Sequence, residues 1–353
     1  MIPNERSDPP AISRRTLLRG AAGVGLAAAS PWLAACSSAA KRGASIEGPP
    51  ETTTFRVART PVTCACTQAV ASEFMKQEGF TDLQYVDLAD PRDLFAKFAA
   101  GETDMILYPA PMAALRVDAG DPIVVLGGVN SGCFQIVGTA AIKSLRDFKG
   151  KTLVTGFSGS PDYVFLALIL ANVGIDIQKD VKVIFARAEE SARLLAAGEV
   201  DGMTALPPFS QELRTSAIGH VVLDSNKDRP WSQYLWNMPT VHRDFMAKNP
   251  IATKRALRAL LKAADLVAKE PERAARIMMD VGFIDQKLYA ATVEELRVIP
   301  HDVWRPYDPV DTLNFYTLRL KDTGLIKSTP DEIIKRGTDF RYLKELRKEL
   351  TAS

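Results

Sequence analysis

From Phe55 onward, short apolar runs alternate with segments whose apolar residues recur every three or four positions. The run TFRVA (54–58) predicts a strand, and TQAVASEFMKQEGF (67–80) predicts a helix that Gly79 ends. The same alternation continues through LQYVDL, RDLFAKFAAG and DMILY. This β-α-β-α-β order predicts parallel strands that are joined by right-handed crossovers.

The pattern then starts again, with TLVTGF, DYVFLALILANVG, VKVIF, ESARLLAAG and DGMTAL in the same order. The repeat is visible in the letters, because AAGETD (99–104) returns as AAGEVD (196–201). Gly101 and Gly198 are predicted to end equivalent helices, each followed by a buried strand. The acidic residues of both copies are expected in turns at the end of the sheet away from a ligand; they are Glu102, Asp104, Glu199 and Asp201.

Two long connecting segments, 122–138 and 229–241, predict that the chain crosses between two lobes twice and leaves a cleft that can hinge. The predicted segments are 55–136 for the first part of lobe 1, 137–233 for lobe 2, and 234–353 for the return to lobe 1 and the C-terminal helices. The predicted fold class is α/β, with a mostly parallel sheet flanked by helices in each lobe and a helical C-terminal extension.

The N-terminal residues read as an export signal. Arg14 and Arg15 form a twin-arginine pair, and a glycine-containing apolar stretch then leads to LAAC, which resembles a lipobox ending at Cys36. Residues 1–35 are therefore predicted to be a twin-arginine lipoprotein signal peptide, with lipid on Cys36. Residues 36–54 are small, polar and rich in proline and glycine, as expected for a flexible linker.

The charge composition excludes one class of partner. The formal net charge of the whole chain is +2, and removal of the predicted signal takes away four basic and two acidic residues, which leaves the charges balanced. Nucleic-acid binding depends on clustered Lys and Arg, so nucleic acid is not expected as a partner. The predicted protein is a monomer outside the cytoplasmic membrane, at the cell surface or in the periplasm, held to the membrane by its lipid.

Ligands of open α/β sheets bind at the carboxyl ends of the strands, where helix N-termini offer amide donors. The loop GFSGSPD (156–162) is rich in such donors and suits an anionic group, although an ordinary helix cap explains it as well. Near the second crossing, Trp231, Tyr234 and Trp236 could cover a small ligand, or they could pack in the core.

The cysteines leave three interpretations open. Cys64 and Cys66 are separated by one residue, and Cys133 lies in the first crossing. They could pack in or near the cleft, form a disulfide outside the cytoplasm, or bind a soft metal such as Cu(I). The three histidines of the chain lie far from these cysteines in the sequence.

Several stretches resemble the substrate-binding lipoproteins of ABC transporters in the nitrate, sulfonate and taurine class, which includes binders of thiamine-pyrimidine precursors. The most characteristic stretches are SLRDFKGKTLVTG (144–156) and AKNP (247–250), and the likeness covers nearly the whole mature chain. The resemblance implies a type II periplasmic-binding fold that is not an enzyme and uses no cofactor or bound metal. It also implies delivery of a small organic or oxyanionic solute to an ABC permease and its ATPase.

Transferred position by position, the resemblance and the loop analysis together imply a set of ligand-binding residues. They are Thr63, Cys64, Thr67, Gln68, Tyr108, Pro109, Ser131, Cys133, Phe134, Ser158, Ser160, Asp162, Leu206, Pro207, Trp231 and Tyr234. The candidate solutes are a sulfonate, nitrate, taurine, a pyrimidine precursor or an aromatic acid. Two other functions stay open: a soft-metal-binding lipoprotein that uses Cys64, Cys66 and Cys133, and a single-turnover enzyme like the fungal pyrimidine synthases.

Overall fold

The computed structural model describes residues 48–60, 62–88, 90 and 92–350. The predicted signal peptide, the lipidation site Cys36 and most of the predicted linker lie outside these residues. Within the described part of the chain, no helix is both long and apolar enough to cross a bilayer.

In the part of the chain that the structure describes, eleven strands form two sheets. In chain order they are β1 Thr54–Ala58, β2 Asp82–Val86, β3 Met105–Pro109, β4 Ile123–Val125, β5 Asn130–Ser131, β6 Gln135–Gly138, β7 Thr152–Thr155, β8 Lys182–Phe185, β9 Gly202–Ala205, β10 His220–Asp224 and β11 Leu235–His242. The first sheet has the order β2-β1-β3-β11-β4, and β5 pairs with β11. The second has the order β10-β6-β9-β7-β8.

Read from the other edge, the second sheet repeats the order of the first, with β8, β7 and β9 in the places of β2, β1 and β3. In both sheets these three strands are parallel. The next strand is antiparallel in each case, because β11 and β6 are the strands that enter their sheets from the opposite lobe. The predicted fold class is confirmed, and both sheets are mixed.

The repeated AAGExD letters have the same structure twice. Gly101 and Gly198 have φ values of +75° and +71°, which glycine adopts at little cost. Asp104 Oδ2 then accepts the backbone N–H of Arg56 at 2.7 Å, and Asp201 Oδ2 accepts that of Thr152 at 2.9 Å. Asp104 therefore joins the start of β3 to the middle of β1, and Asp201 joins the start of β9 to the start of β7.

Fourteen α-helices lie in the described ranges. They are α1 Cys66–Val70, α2 Ser72–Met75, α3 Asp93–Ala99, α4 Ala110–Asp118, α5 Pro161–Asn172, α6 Ala188–Ala196, α7 Phe209–Thr215, α8 Arg243–Lys248, α9 Pro250–Lys269, α10 Pro271–Asp280, α11 Tyr289–Val298, α12 Pro309–Asp322, α13 Pro330–Gly337 and α14 Arg341–Glu349. Short 3-10 segments cover Thr63–Ala65, Leu145–Phe148, Trp231–Gln233 and Gln286–Leu288.

The long helix α9 buries one face against the helices that follow β1 and forms the centre of the first core, together with α10, α11 and α14. Helix α12, one of the C-terminal helices predicted to return to lobe 1, also contacts the second lobe. Its Tyr316 contacts Phe165 of α5, which belongs to the second lobe, at a ring-centroid distance of 6.4 Å. One aromatic cluster therefore spans both lobes near the crossings.

Candidate functional site

A cleft of about 790 Å³ lies at the carboxyl ends of strands from both sheets. The first lobe contributes Val62, Asp90 and Arg92, which follow β1 and β2. The second lobe contributes the loops after β7, β8 and β9. These second-lobe residues are Thr155, Gly156, Phe157, Asp162, Phe185, Ala186, Arg187, Ala188, Glu189, Ser191, Thr204, Leu206, Pro207, Pro208 and Phe209.

Asp162 is a carboxylate of this cleft that the chain holds through one oxygen atom. Its Oδ2 atom accepts hydrogen bonds from Thr155 Oγ1 at 2.6 Å, from Gly156 N–H at 2.7 Å and from Thr204 Oγ1 at 3.1 Å. A Cβ atom at Gly156 would lie 3.0 Å from Oδ2, so glycine lets the carboxylate approach the backbone. The three donors come from β7, its following loop and β9, and they fix the orientation of the side chain.

The predicted donor-rich loop is occupied by the chain itself. Ser160 is the N-cap of α5, and its Oγ accepts the N–H of Tyr163 at 3.2 Å and that of Phe157 at 3.4 Å. Ser160 is buried and Ser158 is exposed. The helix-cap alternative is therefore what the structure shows for Ser160, while ligand contact by Ser158 and Ser160 stays a prediction.

The outer part of the cleft carries an ion pair. Arg92 Nε donates to both carboxylate oxygens of Asp90 at 2.9 Å. This pairing, with the backbone N–H of Arg92, lowers the pKa of Asp90 to about 2. Arg187 and Glu189 are exposed at the start of α6, on the opposite wall.

Thr63, Thr67 and Ser131 are fully buried, and their hydroxyl oxygens have no hydrogen-bond partner among the residues that the structure describes. Thr63 lies at the boundary of the lobes, because its backbone N–H donates to the carbonyl of Pro207 at 3.2 Å. Hydroxyls without protein partners can bind a small polar guest. Gln68 differs from them, since its amide binds Ala58 O and the N–H of Leu107 and so joins β1 to β3.

Tyr108 and Phe134 are core residues in this structure. The Tyr108 ring stacks on Phe95 at 4.8 Å, and burial raises the pKa of its hydroxyl. Phe134 packs against Phe165 at 5.0 Å and against Trp236 at 5.5 Å. The neighbouring Pro109 ends β3, directly before α4.

The aromatic residues of the second crossing also pack in the core. Trp231 is 2% exposed and lies 5.1 Å from Phe165 and 5.6 Å from Phe315 between ring centroids. Tyr234 stacks on Phe315 at 3.6 Å. Neither Trp231 nor Tyr234 is among the residues that line the cleft. The structure therefore supports the packing alternative, while ligand contact by Trp231 and Tyr234 stays a prediction.

Two of the three cysteines in question form a disulfide. Cys64 and Cys133 are bonded at 2.06 Å, with their Cα atoms 5.8 Å apart. The bond ties the loop after β1 to the first crossing. Cys66 is a free, buried thiol, and no group of three or more His, Cys, Asp or Glu residues in the described ranges could hold a metal ion. The three-thiol metal site is therefore not formed.

Sequence analysis did not anticipate a buried pair between Cys66 and His301. Cys66 Sγ lies 3.8 Å from His301 Nε2 and 3.9 Å from Nδ1, across 235 positions of sequence. Burial raises the pKa of the Cys66 thiol and lowers the pKa of His301 to about 3. Both side chains are uncharged at neutral pH, so the pair is not an ionised thiolate of the kind that attacks substrates.

Of the predicted ligand-binding residues, the cleft brings together Asp162, Leu206 and Pro207. The residues that sequence analysis missed lie mainly between the end of β8 and the start of α6, where Phe185, Arg187 and Glu189 line the cleft. The signal for them was present, because VKVIF was predicted as a strand and its carboxyl end belongs to the same edge of the sheet.

Two α/β lobes of the same strand order, joined by two crossings around a cleft, define the class of periplasmic binding proteins. Within this class the chain belongs to the NMT1-like family, whose sequence profile matches residues 48–280. No curated protein sequence matches the chain.

Solved structures share the fold at low identity. The periplasmic nitrate-binding protein NrtA from Synechocystis PCC 6803 has a TM-score of 0.72 and 14% identity, over 87% of this chain and 91% of that chain. The alkanesulfonate-binding protein SsuA from Xanthomonas axonopodis pv. citri, bound to MOPS, has a TM-score of 0.63 and 14% identity, over 79% and 96%. The aliphatic sulphonate binding protein SsuA from Escherichia coli has a TM-score of 0.64 and 14% identity, over 81% and 92%.

Proposed function

We propose that this chain is the extracytoplasmic solute-binding component of an ABC importer, and that it binds one small solute between its lobes without catalysing a reaction. The observation that carries the proposal is the cleft of about 790 Å³ at the meeting strand ends of two equivalent lobes. Ligand pockets of drug-sized molecules have volumes of this order. The family and the binding proteins that share the fold support the same conclusion.

Contacts between the lobes support a mechanism of closure. The backbone of Thr63 binds that of Pro207, and Glu295 of α11 accepts hydrogen bonds from Ser210 and Arg214 of α7. A solute that contacts both walls stabilises this closed arrangement by its differential affinity. The closed form is what a permease would recognise.

The proposal includes export and anchoring. The twin-arginine pair Arg14 and Arg15 directs the folded chain across the membrane, and lipid on Cys36 holds it at the outer face. The mature protein is a monomer whose partners are a permease and its ATPase. Cys36→Ala should release the protein from the membrane fraction, and Arg14→Lys with Arg15→Lys should retain the precursor in the cytoplasm.

The decisive test is native mass spectrometry of the full chain purified in detergent from its own host. The expected result is an adduct of one small molecule per chain that disappears on unfolding. Deletion of the cognate permease should abolish uptake of that molecule by the cells. A chain that carries no small molecule, and whose melting temperature no compound in a metabolite extract raises, would contradict the proposal.

The two alternative functions have less support. The disulfide between Cys64 and Cys133 removes two thiols from the proposed soft-metal site. The solved structures that share the fold are binding proteins and do not support the single-turnover enzyme. The buried pair of Cys66 and His301 is uncharged, so it does not supply a reactive thiolate.

A further inference from the structure

One carboxylate oxygen of Asp162 accepts hydrogen bonds from the described residues, and the other accepts none from them. Oδ2 receives hydrogen bonds from Thr155, Gly156 and Thr204, whereas Oδ1 receives none from the described residues. A carboxylate can accept about four hydrogen bonds over its two oxygens. Because Asp162 lines the cleft, its second oxygen is an acceptor that is held in a fixed direction and is available to a ligand.

The same carboxylate stands where an oxyanion would otherwise bind. The N-terminal end of a helix attracts anions through its free N–H groups and its dipole. At the start of α5 the N–H of Gly156 is bound to Asp162, and those of Phe157 and Tyr163 are bound to Ser160. A nitrate or sulfonate group placed against Asp162 would meet a negative charge at close range, and these three N–H groups would not be free to bind it.

The other charges of the cleft do not offset this effect. Its lining carries three carboxylates and two guanidinium groups. Arg92 is paired with Asp90 in its own loop, so its charge is largely neutralised. Arg187 is exposed at the start of α6, and its positive charge acts on Asp90. Solvent and Asp90 therefore weaken the attraction of Arg187 for an anionic ligand, whereas Asp162 repels the ligand within the cleft.

Around Asp162 the cleft walls are mainly apolar. They comprise Val62, Phe157, Phe185, Leu206, Pro207 and Phe209. Phe185 is 47% exposed and lines the cleft. Such walls bury the hydrocarbon or ring portion of an organic ligand.

We infer, on the basis of the proposed function, that the solute is a compact organic molecule with an apolar ring and an N–H donor group that binds Asp162 Oδ1, and that the cleft excludes oxyanions. Amidines, aromatic amines and amino-substituted heterocycles belong to this class. The chain would then differ in ligand chemistry from the nitrate-binding and sulfonate-binding proteins whose fold it shares.

A matched pair of probes tests the inference. Benzamidine and benzenesulfonate have the same ring and opposite head groups, and their binding to the full chain can be measured by titration calorimetry after co-purified solute is removed by unfolding and refolding. Benzamidine is expected to bind at least about tenfold more tightly, because only it can donate to the carboxylate. Tighter binding of benzenesulfonate would overturn the inference and leave the proposed function standing.

Variants assign the effect to one residue. Asp162→Asn is expected to weaken benzamidine binding by about tenfold or more. Glu190→Gln, which removes an exposed carboxylate of α6 that does not line the cleft, should change it by less than about twofold. Equal losses in both variants would overturn the assignment to Asp162. The comparison of the two probes on the unmodified chain needs no variant, so it holds even if Asp162→Asn does not fold.

A result in which neither benzamidine nor benzenesulfonate binds also tests the inference. If neither binds, the head group of the solute found by native mass spectrometry decides: an N–H donor supports the inference, and an oxyanion overturns it while the binding function stands. If neither binds and no solute is found, the inference is overturned and the proposed function fails with it.

Discussion

Ser210 Oγ donates a hydrogen bond of 2.6 Å to Glu295 Oε1, and both residues are buried. Ser210 lies on α7 in the second lobe, whereas Glu295 lies on α11, whose Val293 and Leu296 pack in the core of the first lobe. Arg214 of α7 donates to the same oxygen at 2.6 Å. One carboxylate on the first lobe therefore holds two donors of the second.

Replacement of this carboxylate should loosen the contact between the lobes. Glu295→Ala leaves Ser210 and Arg214 without their buried acceptor, and we expect a loss of about 1–3 kcal/mol in the free energy of unfolding. The radius of gyration from X-ray scattering should increase, and affinity for the solute should fall. Glu294→Ala is the matched control, because Glu294 is exposed and should change stability by no more than about 0.5 kcal/mol. An unchanged radius of gyration in Glu295→Ala would contradict the prediction.

The disulfide should stabilise the chain by restricting the unfolded state. It joins residues 69 positions apart, and bonds over loops of this length contribute about 4 kcal/mol. The double variant Cys64→Ala, Cys133→Ala should lose this amount in urea unfolding. Peptide mapping without reduction should find Cys64 linked to Cys133, with Cys66 alkylated only after unfolding. Linkage of Cys66 to either partner would show that the assignment is wrong.

His301 should make stability depend on pH. Its pKa is about 3 in the folded protein and about 6.5 in an unfolded chain, so the unfolded state binds more protons between these values. The contribution is complete above pH 6.5 and is lost as the pH falls toward 3, by up to roughly 1 kcal/mol per pH unit. His301→Gln should flatten this slope in urea unfolding between pH 7 and 4.5. The exposed His220 provides the control variant, His220→Gln, which should keep the slope of the unmodified protein.

The two copies of the AAGExD turn should differ in what they contribute. The Asp104 side chain is 3% exposed and accepts the backbone N–H and the guanidinium of Arg56, whereas the Asp201 side chain is 31% exposed and its nearest cation is Lys151 at 3.8 Å. Asp104→Ala should therefore cost about 2–4 kcal/mol and Asp201→Ala about 1 kcal/mol. Denaturant unfolding of both variants measures the difference. Equal costs would mean that the backbone hydrogen bond alone matters.

The order of strands and helices was predictable because it depends on local patterns. Alternating apolar runs, helix-ending glycines such as Gly101 and the AAGExD repeat are all read within a few positions, and they predicted two equivalent lobes correctly. The resemblance to binding proteins then predicted the family. The antiparallel strands β6 and β11 were not apparent, because strand direction depends on which lobe the chain comes from.

The candidate site was predictable only in part. Loop position placed Asp162, Leu206 and Pro207 at the cleft, but the same loops contain Ser160, whose oxygen serves the helix. Near the crossings, an aromatic residue such as Trp231 has the same local pattern whether it covers a ligand or fills a core. Its neighbours Phe165 and Phe315 come from distant helices.

The sequence by itself determined the element order, the repeated turn and the two-lobed class, because short-range periodicity and turn chemistry specify these. Only the tertiary structure decided that Cys64 pairs with Cys133, that Cys66 meets His301, and that one oxygen of Asp162 accepts hydrogen bonds from Thr155, Gly156 and Thr204. These relationships join residues from separate elements, and packing sets the distances between them. Spacing along the chain carries no information about such distances.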